Sequence, residues 1–218
     1  AAGAGSATGA KKTPPGYNRA YVRAGKNPSL PQFLEAWRQG RNFVTNGPMI
    51  FLTANRSHTP GDTIALPKDG GIVKVQARAE WEQPLQSLEI VSNGEVVGRA
   101  SISPGASTAD VEVPLPVREG AWVTARATGQ DRLLTDEELN GYRLTGKKAE
   151  EPTRLRFGHT SPIYVTVGGG GARVAASVQE AHRILDGFER FAHQTAADAY
   201  KTEILEVLPT ARQRLGPA

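Results

Sequence analysis

The sequence predicts a mainly β fold: an antiparallel immunoglobulin-like β-sandwich with a short N-terminal strand-helix segment and a C-terminal helical hairpin. Three observations predict it. Ile72 to Glu82 alternates Val73, Val75, Ala77, Ala79 and Trp81 with Lys74, Gln76, Arg78 and Glu80, the period-2 pattern of a strand with one buried and one wet face. About seven short strand-like runs recur between Pro48 and Val167, with turn signals and no helical pattern between them. After Ala176 the apolar period becomes helical.

In chain order, residues 1–16 (AAGAGSATGAKKTPPG) have no periodicity and are rich in loop-forming Gly and Pro, so they read as a linker or the cut end of a preceding domain. Residues 17–47 form a strand-helix junction. Tyr17 to Ala24 alternates Ala20, Val22 and Ala24 with Tyr21 and Arg23. Ser29 and Gln32 have capping-box spacing, Leu30, Phe33, Leu34 and Trp37 share a helix face, and Gly40 stands where a glycine ends a helix. This segment has no core of its own and needs a neighbour, either the sandwich that follows or a domain that precedes it. Asn46-Gly47-Pro48 then makes a bend, because Asn and Gly tolerate positive φ and Pro fixes its own.

The sandwich is predicted over 48–171. Met49 to Ala54 is its first strand. Asn93-Gly94, inside Ser87 to Ala100, signals a type I′ hairpin. Asp110 to Leu115, Ala121 to Ala127, and the run with Ile163, Val165 and Val167 complete the set, so Val73, Val75, Ala77, Val111, Val113, Val123, Ile163 and Val165 should face inward. Thr128 to Pro152 reads as a charged, irregular excursion in which TDEEL offers one helical turn at Thr135, and Gly168 to Gly171 as a reversal or joint. Residues 172–218 are predicted helical. Ser177 and Glu180 repeat the capping-box spacing, and Val178, Ala181, Ile184, Leu185, Phe188, Phe191 and Ala192 make one stripe, expected in a core. Ile204, Leu205, Leu208, Ala211 and Leu215 make another, which Pro209 should kink or restart.

Composition narrows the chemistry. The 218 residues are 39% hydrophobic, enough for a core, and no apolar run approaches the roughly 20 residues of a membrane helix, so no membrane span is expected. The absence of cysteine excludes disulfides, thiolate metal sites and thiol nucleophiles, but leaves the compartment open, periplasmic or secreted included. The net charge of +4 is spread over the chain, and Lys11-Lys12, Lys147-Lys148 and Arg154 with Arg156 lack interleaved aromatics, so nucleic acid is not an expected partner. His58, His159, His182 and His193 form no H-x-H, H-E-x-x-H or D-x-H pattern, and His182 and His193 are three helical turns apart. There is no G-x-S-x-G. His159 and Ser161 would lie about 7 Å apart in an extended segment, so HTSP is assigned to strand entry. The glycines at 168–171 lack the Lys-Ser/Thr of a phosphate loop, and Glu137-Glu138 reads as a solvated pair.

Three motifs in order, YNRAYV at Tyr17 to Val22, GRNFVTNGP at Gly40 to Pro48 and FGHTSPIYV at Phe157 to Val165, resemble the C-terminal part of CehA/McbA-type (carbaryl-hydrolase-like) metallohydrolases of the PHP superfamily. The likeness covers roughly residues 17 to 215. In that family a metal-binding α/β barrel carrying H-x-H and D-x-H ligands precedes a β-sandwich region, and this chain resembles only the latter. The resemblance implies a hydrolase of phosphoester, ester or amide bonds for the complete protein, with zinc, manganese or iron in the upstream barrel, and a non-catalytic accessory role without a metal for this chain. Its implied partners are that barrel of the same polypeptide or a second subunit in a homo-oligomer. Asn46, Gly47, Pro48, His159, Thr160, Ser161 and Pro162 match the motifs as positions without an assigned role, and no catalytic or metal residue carries over. The alternative is a self-contained immunoglobulin-like module binding carbohydrate or protein, since fold alone does not settle function.

Overall fold

The computed structural model describes residues 18–133, 153–172 and 174–216. The predicted linker at 1–16, the helical turn at Thr135, Glu137-Glu138 and both Lys-Lys pairs lie outside them. The chain is mainly β and divides into two compact units, one through Gly170 and one from Gly171.

The first unit holds strands β1 (Arg19–Val22), β2 (Asn42–Thr45), β3 (Met49–Ala54), β4 (Thr63–Leu66), β5 (Gly71–Glu80), β6 (Leu85–Ser92), β7 (Glu95–Arg99), β8 (Thr108–Val117), β9 (Ala121–Leu133), β10 (Thr153–Thr160) and β11 (Ile163–Val167), with helix α1 (Leu30–Arg38). The larger sheet runs β1-β2-β10-β9-β11-β4, with β6 also on β9 and β7 on β6, and the smaller runs β3-β5-β8. Ile50, Leu52, Val73 and Val75 of the smaller sheet join Leu88, Ile90, Val123, Ala125, Ile163 and Val165 of the larger in one apolar cluster. Each such aliphatic side chain contributes roughly 1.5 to 3 kcal/mol by leaving water. Of the residues expected inside, Val73, Val75, Ala77, Val123, Ile163 and Val165 are at most 3% exposed. Val111 and Val113 are only half-buried, because β8 is the terminal strand of its sheet.

The strand pattern departs from expectation in three ways. The larger sheet is mixed, since β4 pairs parallel to β11. The described residues hold eleven strands, more than the seven or so expected. The excursion from Thr128 begins as a continuation of β9, which reaches Leu133 before the described part resumes in β10 at Thr153. Residues 18–47 are also built into the larger sheet, as β1 pairs with β2 and β2 with β10.

Local signals that depend on a few adjacent residues appear as expected. Ser29 N donates to Gln32 Oε1 over 2.9 Å at the start of α1. At its end Gly40 N donates to Trp37 O and Arg41 N to Ala36 O, a Schellman pair made possible by the Gly40 φ of 76°. Asn93 and Gly94 have φ of 51° and 94°, the left-handed pair of a type I′ turn. Asn46 and Gly47, in contrast, do not have positive φ. The bend into β3 needs glycine for proximity: a Cβ on Gly47 would lie 3.0 Å from Arg156 Cβ and 3.4 Å from the Trp81 ring.

The second unit is a helical hairpin of α2 (Ala175–Thr195) and α3 (Asp198–Leu215). Helix α2 begins two residues before Ser177, with Val174 as its N-cap, so the Ser177-Glu180 spacing does not cap it. Pro209 sits inside an unbroken α3. Two helices can close only a narrow seam. Ala192 and Leu208 are buried, whereas Ile184, Phe188 and Phe191 are 60%, 43% and 55% exposed, so the expectation of a buried stripe fails at its bulkiest positions.

Candidate functional site

The motif residues meet at one corner of the larger sheet. Strands β2 and β10 pair with Thr45 opposite Gly158, Val44 opposite His159 and Phe43 opposite Thr160. Asn46 Oδ1 accepts from Phe157 N over 2.8 Å, while Asn46 N donates to Phe157 O over 3.0 Å, so this asparagine mimics one more residue of the ladder. Gly47 N donates to Thr45 Oγ1 over 2.8 Å, and Pro48, fully buried, leads into β3. A Cβ on Gly158 would stand 2.9 Å from Pro48 O, which explains the glycine. At the end of β10, Thr160 Oγ1 accepts from Ala125 N over 3.0 Å, and in the turn that follows Ser161 N donates to Asn42 O and Ser161 Oγ donates to Asn42 Oδ1 over 2.6 Å. Pro162 O accepts from Gly61 N.

These groups satisfy backbone and buried amides, and they do not assemble a nucleophile and base. His159 is half-buried, with its Nδ1 3.2 Å from Thr160 O and its ring 5.4 Å from that of Phe157, while the Ser161 hydroxyl is aimed at Asn42. His58 sits beside Ser57 Oγ, and His182 Nε2 lies 2.8 Å from Gly216 O in the helical hairpin. Among the described residues no three His, Asp or Glu side chains converge in a way that could hold a metal ion.

A second feature adjoins this corner and was not singled out by the sequence. Tyr21 lies opposite Phe43 in the β1-β2 register, and their rings stack at 5.0 Å with an 11° interplanar angle. Phe51 of β3 meets Phe43 edge-on at 5.9 Å. Just past the paired ends of these strands, Arg23 N donates to Arg41 O over 2.8 Å, so Arg23 and Arg41 also stand opposite each other. The rings and arginines line a largely apolar groove of about 340 Å³ that also reaches Leu52 and Pro60. Neither guanidinium forms an ion pair among the described residues. The Glu35 carboxyl is held below the usual range by hydrogen bonds from Arg38 and then Gln39, and Arg41 is the smallest contributor to that shift.

The sequence signal for this feature is a mirrored spacing, Tyr-x-Arg at 21–23 and Arg-x-Phe at 41–43. It acquires meaning only when the two segments are known to pair antiparallel. No described helix is long and apolar enough to cross a membrane. Comparison of the chain with family models, with curated proteins and with solved structures finds no match.

Proposed function

We propose that this chain is a non-catalytic accessory region of a PHP-type metal-dependent hydrolase, and that its two sheets form an immunoglobulin-like sandwich serving the catalytic barrel as a scaffold. The observation that carries the reading is the convergence of the three motifs. RAYV of the first motif forms β1, GRNFVTNGP spans β2 with its entry and exit, and FGHTSPIYV lies on β10 and β11, and β1, β2 and β10 are consecutive neighbours in one sheet. The side chains of Asn42, Thr45, Asn46, Thr160 and Ser161 are committed to backbone groups and to each other, which is the signature of a structural bracket. Motif residues with this duty are fixed by folding rather than by chemistry, in keeping with a role beside an active site held elsewhere. The metal and the hydrolytic water belong, on this reading, to a barrel encoded upstream.

The test has two arms. The reading frame upstream of this chain should encode H-x-H and D-x-H motifs, and its complete product should turn over a chromogenic phosphodiester or aryl ester with manganese or zinc, while the purified 218-residue chain should not. Turnover by the chain alone that is lost in His159→Ala would overturn the reading and put HTSP in an active site. The rival reading, a self-contained binding module, is favoured by one observation, the groove that holds Tyr21, Phe43 and Phe51 beside Arg23 and Arg41.

A further inference from the structure

We infer that this groove is a binding site for a flat aromatic carboxylate. Two features of the pairing carry the inference. Like charges facing each other across paired backbone destabilise it, and the fold brings Arg23 and Arg41 opposite each other just past the paired ends of β1 and β2, with neither guanidinium in an ion pair among the described residues. An anion between them would turn the repulsion into two charge-assisted contacts, and a planar guanidinium matches a planar carboxylate in its fork geometry. Beside the arginines, Tyr21 is 37% and Phe51 42% exposed although both border an apolar groove. Stacked rings with an open face offer a flat partner the offset or edge contacts that aromatic pairs prefer. The volume of about 340 Å³ falls in the range of small-molecule sites. A carboxylate suits this lining better than a phosphate dianion, because the second charge would have to be desolvated against carbon.

The ligand is thus placed with its ring against Tyr21, Phe43 and Phe51 and its carboxylate between Arg23 and Arg41. The inference does not depend on the hydrolase reading, since a site of this kind serves an accessory region or a free-standing module equally. Its test therefore reads binding and never turnover.

The purified chain is titrated calorimetrically with biphenyl-4-carboxylate, with the neutral biphenyl-4-methanol and with acetate. Saturable binding of one equivalent of the aromatic acid is expected, at least about tenfold tighter than the alcohol, with acetate showing none. Arg23→Gln, Arg41→Gln and Phe51→Ala should each weaken it by about tenfold or more, while Arg99→Gln on β7, whose guanidinium is paired with Glu89, should leave it unchanged. A second measurement stands apart from any ligand: Arg23→Gln should raise the melting temperature of the free chain, because it relieves the like-charge pair. No saturable binding of the acid, equal binding of acid and alcohol, or unchanged affinity in both arginine variants would each overturn the proposal. A dimer that forms with rising concentration and is lost in Phe51→Ala would also overturn it, by giving the groove to a second copy of the chain.

Discussion

Ser161 Oγ donates to Asn42 Oδ1 over 2.6 Å across 119 residues of sequence, and both side chains are buried. The bond fastens the turn between β10 and β11 to the first residue of β2, so the middle of one motif is tied to another. Ser161→Ala removes this donor from a buried carboxamide. The expected cost is about 1 to 3 kcal/mol in chemical denaturation, with the sheet otherwise intact. A loss below about 0.5 kcal/mol would show that the bond holds nothing together.

Trp81 packs against two glycines, Gly47 and Gly129, which come from the bend before β3 and from β9. A methyl group on Gly129 would overlap the indole ring, and one on Gly47 would press on its other edge at 3.4 Å. Gly129→Ala should therefore displace the ring. The expected signs are a destabilisation of about 1 to 3 kcal/mol from overpacking and a shifted tryptophan emission, whereas Gly47→Ala should cost less because its contacts are tighter by only tenths of an ångström. Equal stability of Gly129→Ala and the parent would refute the assignment of these glycines to ring packing.

Much of the β unit is legible because β5, β7 and β8 sit with one face inward and one in water, so burial alternates along the sequence, while β6, buried over Leu88 to Ser92, is announced by the Asn93-Gly94 turn that follows it. Strand β2 was not legible. Asn42, Val44 and Thr45 are all buried, Asn42 and Thr45 through hydrogen bonds, so NFVT carries no alternation and reads as a turn. Strand β4 has four residues, and among the described residues it pairs with β11, parallel and about a hundred residues away, a pairing that no local pattern announces. In sequence Gly47 carries only the signature of backbone freedom, but its neighbours Arg156 and Trp81 come from far along the chain, and only the fold shows that space is the reason. The groove was hidden for the same cause. Tyr21, Arg23, Arg41 and Phe43 form a patch only through the β1-β2 register, and β2 had not been recognised. The exposed stripe of α2 marks the opposite limit: periodicity gave the helix and its apolar face, while coverage of Phe188 depends on what lies opposite, which periodicity does not encode.

In the helical hairpin Arg212 of α3 reaches Asp186 at 2.6 Å and Glu189 at 2.7 Å on α2, so one guanidinium ties the two helices. Its hydrogen bond holds the Asp186 carboxyl below the usual aspartate value of about 3.9, with weaker help from the charges of Arg190 and His182. A carboxylate with a lowered folded pKa stabilises the fold above its unfolded value, and that stabilisation is lost as pH falls through the folded value. The tie is therefore complete at neutral pH and disappears below about pH 4, not on the alkaline side. Since these groups are exposed, salt should weaken the effect as well. Melting of the 222 nm helical signal in the whole chain tests this. Arg212→Gln should melt earlier than the parent at neutral pH and low salt, the two should converge at about pH 2, and the neutral-pH difference should shrink in molar salt. A difference of the same size at both pH values would mean that Arg212 acts through its packed alkyl stem, and the carboxylate tie would have to be abandoned.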